Sequence, residues 1–205
     1  MLRQSHMSSI GVPPIPATNS IFLRDRLRAE TGPAHDALDT RLAHVDVSSV
    51  DGLAVFLRMQ ARALGVLSEC DAGNISKLMI SDLARRARTD LAVLGHQVPP
   101  VAVPPVDAAR LHPDAVDYVL AGSRLGNAML KKCWRSSTQP DVRHAAAFFT
   151  APDYLDVWKT FCTGAGRGDA RLPGNETIVT DARAVFALFS HYAADAAEEK
   201  VPALA

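Results

Sequence analysis

Between residues 21 and 44, IFLRDRLRAETGPAHDALDTRLAH, the positions Leu23, Leu27, Thr31, Leu38 and Leu42 recur at steps of four and seven. That spacing is the period of an amphipathic helix with one buried stripe, and it predicts a helix running to about Ala43. Asn19 or Ser20 is the expected cap. Pro33, following Thr31 and Gly32, predicts a bend or a restart, because an internal proline removes one helical hydrogen bond. His35 falls on the same stripe, four after Thr31 and three before Leu38, so an imidazole faces an apolar interior. Asp39 follows one turn later, within reach of its second ring nitrogen. A histidine on an apolar face is either a satisfied core residue or a metal ligand oriented by a neighbouring acceptor, and both readings stand at this point.

The same periodicity predicts a second helix from about Ser49 to Asp71, with Leu53, Phe56, Leu57, Ala63, Leu64 and Leu67 inward. A third, about Ile75 to Leu94, turns Leu78, Leu83, Ala87, Leu91 and Leu94 inward and leaves Arg85, Arg86 and Arg88 on a solvated face. Gly73 with Asn74, and then Gly95, mark the stops. Five prolines from His96 to Ala115 exclude a regular helix there and predict an extended surface connector. A helix is then expected over Pro113 to Arg135, followed by shorter ones over Val142 to Phe149 and Pro152 to Cys162, the last with Tyr154, Leu155, Trp158 and Phe161 inward. TGAGRGDARLPGNE reads as a glycine-rich turn. A closing helix is predicted from about Thr177 to Glu198, presenting Ala182, Val185, Phe186 and Phe189.

Composition narrows the class. The 205 residues suit one well-buried domain, predicted over residues 21–200 behind a Ser- and Pro-rich leader, residues 1–20. Ala and Leu dominate the apolar set and aromatic residues make up only 6%, which favours an all-α helical bundle over a sheet. Twenty-two Lys and Arg balance 22 Asp and Glu, so no overall field recruits nucleic acid or an anionic membrane. No run approaches the ~20 apolar residues that span a bilayer. Cys70, Cys133 and Cys162 are odd in number and widely separated, which fits neither a disulfide framework nor a zinc site and makes a reducing cytoplasm the expected compartment. No glycine run has the spacing of a nucleotide-binding loop.

Within the predicted helix over residues 113–135, Gly122 and Gly126 lie one turn apart on the face that carries Val119, Ser123, Leu130 and Cys133. Each glycine costs a helix about 1 kcal/mol relative to alanine, so a compensating role is implied. The bare patch admits either a close-packed neighbouring helix or a flat ligand lying against backbone.

Leu27-Arg28-Ala29-Glu30-Thr31 with His35, Leu38 and Asp39, then Asp90-Leu91 with Leu94-Gly95, then Tyr118-Val119-Leu120-Ala121-Gly122-Ser123-Arg124-Leu125-Gly126 resemble, in that order, the bacterial haem oxygenases, particularly the kind associated with bacteriophytochromes. Phe186 to Phe189 resembles the closing helix of that family, and the likeness spans about residues 22–190. It implies a single-domain, all-α haem-oxygenase-like bundle in which haem is both substrate and cofactor, opened by O2 and supplied electrons to biliverdin, CO and ferrous iron. It implies His35 as the iron ligand with Asp39 hydrogen-bonded to it, and Arg28, Tyr118 and Lys159 as partners of the haem propionates. Gly122, Ser123 and Gly126 match the distal helix that lies over bound oxygen, and Asn127 stands where that family usually carries a second small residue. Further implied partners are an electron donor such as ferredoxin or a flavin reductase, and a bacteriophytochrome that receives biliverdin. Two other functions compete: a haem-binding or haem-sensing module on the same fold, with Asn127 blocking oxygen activation, and a relative of the thiamin-degrading proteins of similar architecture, for which Cys133 and Glu69 are available.

Overall fold

The computed structural model describes residues 22–98, 104–165, 170 and 172–198; the expected caps Asn19 and Ser20, the leader and much of the glycine-rich turn lie outside them. Among the described residues the elements run α1 (Leu23–Leu42), α2 (Val50–Leu67), α3 (Asn74–Val93), a 3-10 turn (Ala108–Arg110), α4 (Pro113–Gly126), α5 (Ala128–Arg135), α6 (Pro140–His144), α7 (Leu155–Ala165) and α8 (Gly174–Glu198). None of these helices is long and apolar enough to cross a membrane.

The centre of the molecule is the pair α2 and α8. Both are apolar on more than one face, which is how a helix enclosed by others must read. α2 packs against α3 and α8, while α1 and α4 both lean on α8, and α7 covers α4. Ser49 caps α2 by accepting from the Gly52 amide at 3.1 Å. Gly52 is required by packing, since a Cβ there would lie 2.1 Å from the Asp46 carbonyl oxygen. α3 ends as its sequence implies: Gly95 takes φ +76°, and the His96 amide returns to the Leu91 carbonyl at 2.8 Å.

Four expectations are corrected. α1 continues unbroken through Pro33, with no restart; both Pro33 and Ala29, whose carbonyl loses its partner, are exposed, so water can take that bond. The helix over residues 113–135 is instead two, broken at Asn127, where two weak helix formers, Gly126 and Asn127, adjoin. Beyond the break, α5 is drawn inward by Trp134, whose indole donates to the Val142 carbonyl at 2.8 Å and stacks on Phe149. The helix expected to reach Phe149 stops at His144, because the buried Asp90 carboxylate accepts from the Ala147 and Phe148 amides at 2.9 and 2.8 Å and takes them from any helical ladder. α7 begins at Leu155 rather than Pro152, since Tyr154 occupies the left-handed region at φ 51°.

Some facings also differ. Leu78 and Leu155 are exposed and Leu94 is half-buried. Arg86 is not solvated like Arg85 and Arg88: it lies half-buried, pairs with Asp82 and donates to the Ala147 carbonyl at 3.0 Å. Tyr154 completes this cluster by donating to Asp82. Asp82, Arg86 and Asp90, spaced by four on α3, therefore strap the segment that joins α6 to α7.

Candidate functional site: a cleft between α1 and α4

Because α1 and α4 both rest on α8, the space between them becomes two adjoining clefts, of about 290 and 400 Å3. His35, Val119, Ser123 and Phe186 belong to the walls of both, so the imidazole stands where they meet. The first cleft is mainly apolar, walled by residues such as Leu38, Phe56, Met59, Leu120 and Phe189. The second is more polar and carries Arg28, Thr31, Asp36 and Tyr118, with Trp158 closing it. An apolar slot with cationic and hydroxyl groups at one end suits a flat, largely apolar ligand with acidic groups along one edge.

His35 is not buried, as its stripe implied; half of its side chain is open to the cleft. The stripe itself is real, with Leu23, Leu27, Thr31 and Leu38 all buried. What differs is the partner of the middle of α1, which faces a cleft rather than a packed helix. Nδ1 of His35 lies 3.2 Å from Oδ2 of Asp39, and the ring meets Phe186 edge-on with centroids 5.5 Å apart. With Nδ1 facing the carboxylate, Nε2 is the nitrogen left to act outward, and a neutral imidazole with that tautomer has its lone pair there. The donor set thus fits a single axial ligand to an iron macrocycle. Among the described residues no group of three or more His, Cys, Asp or Glu converges on one point.

The opposite wall presents backbone. A Cβ built on Gly126 meets nothing within 4 Å, so that face of α4 is bare. At Gly122 a Cβ would touch Trp158 at 3.5 Å, an ordinary contact, so there the indole lies close against the helix. Ser123 donates its hydroxyl proton to the Val119 carbonyl at 2.6 Å, and its remaining capacity is to accept. Asn127 lines the first cleft at the break between α4 and α5.

Of three arginines near the start of α1, the structure sorts Arg26 from Arg28. Arg26 pairs with Glu30 and Glu176 and donates to the Ala170 carbonyl, tying α1 to α8. Arg28 lines the second cleft and forms no hydrogen bond or ion pair among the described residues. Tyr118 stands opposite, its hydroxyl 3.4 Å from Oγ1 of Thr31, whose own proton goes to the Leu27 carbonyl at 2.7 Å. At 3.4 Å that contact is weak, and the phenolic proton can turn to a better acceptor.

Eight of the nine site residues read from the sequence therefore line one pair of clefts: Arg28, His35, Asp39, Tyr118, Gly122, Ser123, Gly126 and Asn127. Lys159 is not brought to them; it is exposed on α7 and lines neither cleft. Cys133 and Glu69, the residues offered for thiamin chemistry, line neither as well: Cys133 lies beside Asp46 and Glu69 is exposed after α2. Thr31, Trp158 and Phe186 are cleft residues that the sequence pattern assigns only to the core. Their helical spacing is the same for a core face and a cleft wall.

No family model matches the chain, and no curated protein matches it in sequence. Its architecture is the all-α haem-oxygenase fold. One solved structure that carries this likeness is the haem oxygenase from Neisseria meningitidis, determined with NO and CO bound, which aligns with a TM-score of 0.64 and 19% sequence identity over 89% of this chain and 98% of that one. At that identity the shared property is the fold.

Proposed function

We propose that this protein is a biliverdin-producing haem oxygenase of the kind associated with bacteriophytochromes, taking haem as substrate between α1 and α4. The observation that carries this reading is the pairing across one cleft of an imidazole set by a carboxylate, His35 with Asp39 at 3.2 Å, and a side-chain-free stretch of helix at Gly126. The haem-oxygenase fold adds weight, since the two lie on its first helix and on a broken helix facing it.

In this reading haem, bound through its iron, supplies the centre at which O2 is activated and is itself opened to biliverdin, CO and ferrous iron. The chain's own residues orient and shield. His35 offers Nε2 to the iron, and Asp39 holds the ring in that tautomer and makes it more basic. Arg28 and Tyr118 receive the propionates at the polar end, the guanidinium as a charged donor and the phenol by turning its proton away from Thr31. Gly122 and Gly126 let the α4 backbone approach the opposite face, which selects one edge of the ring for attack by restricting where oxygen can lie. Ser123, its proton committed to Val119, accepts from a water and so orders the proton supply. An electron donor such as a ferredoxin or a flavin reductase completes the reaction, and a bacteriophytochrome is the receiver of biliverdin. A reducing cytoplasm is the compartment in which this chemistry is expected.

The second reading, a haem-binding or haem-sensing module, is favoured by Asn127, whose amide stands on the cleft wall where a smaller residue would leave more room. Turnover separates the two. Protein mixed with ferric haem and given ascorbate, or a ferredoxin with its reductase, loses its Soret band and gains bilin absorption if it is the enzyme. A Soret band that persists under continuous reduction in air identifies the sensor.

A further inference from the structure

Arg124 lies on α4 between the two glycines, and its side chain passes from the wall of the first cleft into the core, where the residue is only 9% exposed. Its Nη2 donates to the Ala151 and Pro152 carbonyls, each at 3.3 Å, and its guanidinium carbon stands 5.6 Å from the centroid of Phe148. Nε is buried with no hydrogen-bond partner, and no carboxylate forms an ion pair with the group among the described residues. The charged and titratable groups that face it are Asp82 and Arg86 on α3, Lys131 on α5 and Asp153 and Tyr154 before α7, with His35 and Asp39 across the cleft. Asp82 is already taken by Arg85, Arg86 and Tyr154, and Asp153 is exposed to solvent, where its charge is screened. Arg124 is thus a buried cation compensated mainly by two long bonds to neutral acceptors and by one ring face. Burial pushes its pKa down, the direction expected for such a group.

A cation in this position projects its field past the bare part of α4, because no side chain at Gly126 intervenes and the carboxylates of that helix, Asp114 and Asp117, lie ten and seven residues before Arg124. We propose that Arg124 supplies a fixed positive charge behind the α4 wall and so selects for anionic ligands on that side of the cleft. The inference rests on the haem reading above, with the anion bound to ferric iron on the face opposite His35.

The test uses wild-type protein, R124M, R124Q and R124K, each reconstituted with haem, and compares azide binding to the ferric form with CO binding to the ferrous form. A unit charge across a low-dielectric wall is worth on the order of tenfold in the affinity of an anion, and nothing for a neutral ligand. R124M and R124Q are therefore expected to bind azide about tenfold more weakly and CO within about twofold of wild type, while R124K stays near wild type for both. R124Q retains a donor toward the Ala151 carbonyl and carries the test if R124M does not fold. Unchanged azide affinity in the neutral variants, parallel loss of azide and CO, or equal loss in R124K and R124Q each overturns the proposal while leaving haem binding intact. A wild-type protein that forms no His35-dependent complex with haem overturns this inference together with the reading beneath it.

Discussion

The two walls of the cleft are built on opposite principles. α1 stays helical through a proline and contributes side chains: an imidazole with its carboxylate, a guanidinium and a hydroxyl. α4 contributes mainly the lack of them, and it breaks at Asn127 as soon as its bare stretch ends. The difference teaches where each wall is vulnerable. On α1 the damaging change is removal of a functional group, whereas on α4 it is addition of atoms.

The sharpest way to break that contrast is H35A. It is expected to abolish the optical signature of histidine-ligated ferric haem, with added imidazole restoring it, since a small cleft-filling ligand can replace the lost ring. Next comes G126L, which places a side chain in open space against no protein atom. Thermal melts are expected to show the free protein as stable as wild type or up to about 1 kcal/mol more so, from improved helix propensity. Haem titration of the same variant should show affinity falling by about tenfold or more, because the new side chain competes with the ligand. If G126L lowered stability and left haem binding unchanged, α4 would be a packing surface and not a wall.

D39A should act more weakly, by about tenfold in haem affinity, as removal of groups that orient a metal-binding histidine commonly does. The smallest effect tests the scaffold that sets the walls apart. Y154F deletes the phenol bond to Asp82 and is expected to cost about 1 kcal/mol in urea unfolding at neutral pH. Burial pushes the Asp82 carboxyl up, but hydrogen bonds from Tyr154, Arg86 and Arg85 outweigh it and hold the group below its ordinary range. A lowered folded pKa gives stability that is fully present above the unfolded value of about 4 and is lost as pH falls through the folded value. Y154F removes part of that lowering, so its urea midpoint should fall less than that of wild type between pH 5 and pH 2. Burial, with the same bond, raises Tyr154 to about 12, so wild type also loses stability as pH rises from about 10 toward that value.

Much of this was legible in the chain because periodicity reports burial directly. Leu23, Leu27, Thr31 and Leu38 give away both the α1 helix and its inward face, and Gly126 gives away the bare part of the opposite wall, while Gly122 is met by Trp158. Gly95 marked a stop that its positive φ makes literal. What periodicity cannot report is a partner distant in sequence. Asp90 ends a helix 57 residues later by taking two of its amides, and Trp134 turns α5 by reaching Val142. Nor can it tell a core face from a cleft wall. Periodicity makes His35 look buried, and Trp158 and Phe186 look like core, because all three sit on apolar stripes whose missing neighbour is a space. Arg124 was visible as a residue of a motif, but its burial without an ion-pair partner depends on the fold.

The most direct measurement of the central claim is a crystal structure of the protein grown with ferric haem. The account predicts iron bound to Nε2 of His35, propionates toward Arg28 and Tyr118, and the far face of the ring against the backbone from Gly122 to Gly126. Haem held by any other side chain, or seated outside the space between α1 and α4, would contradict it.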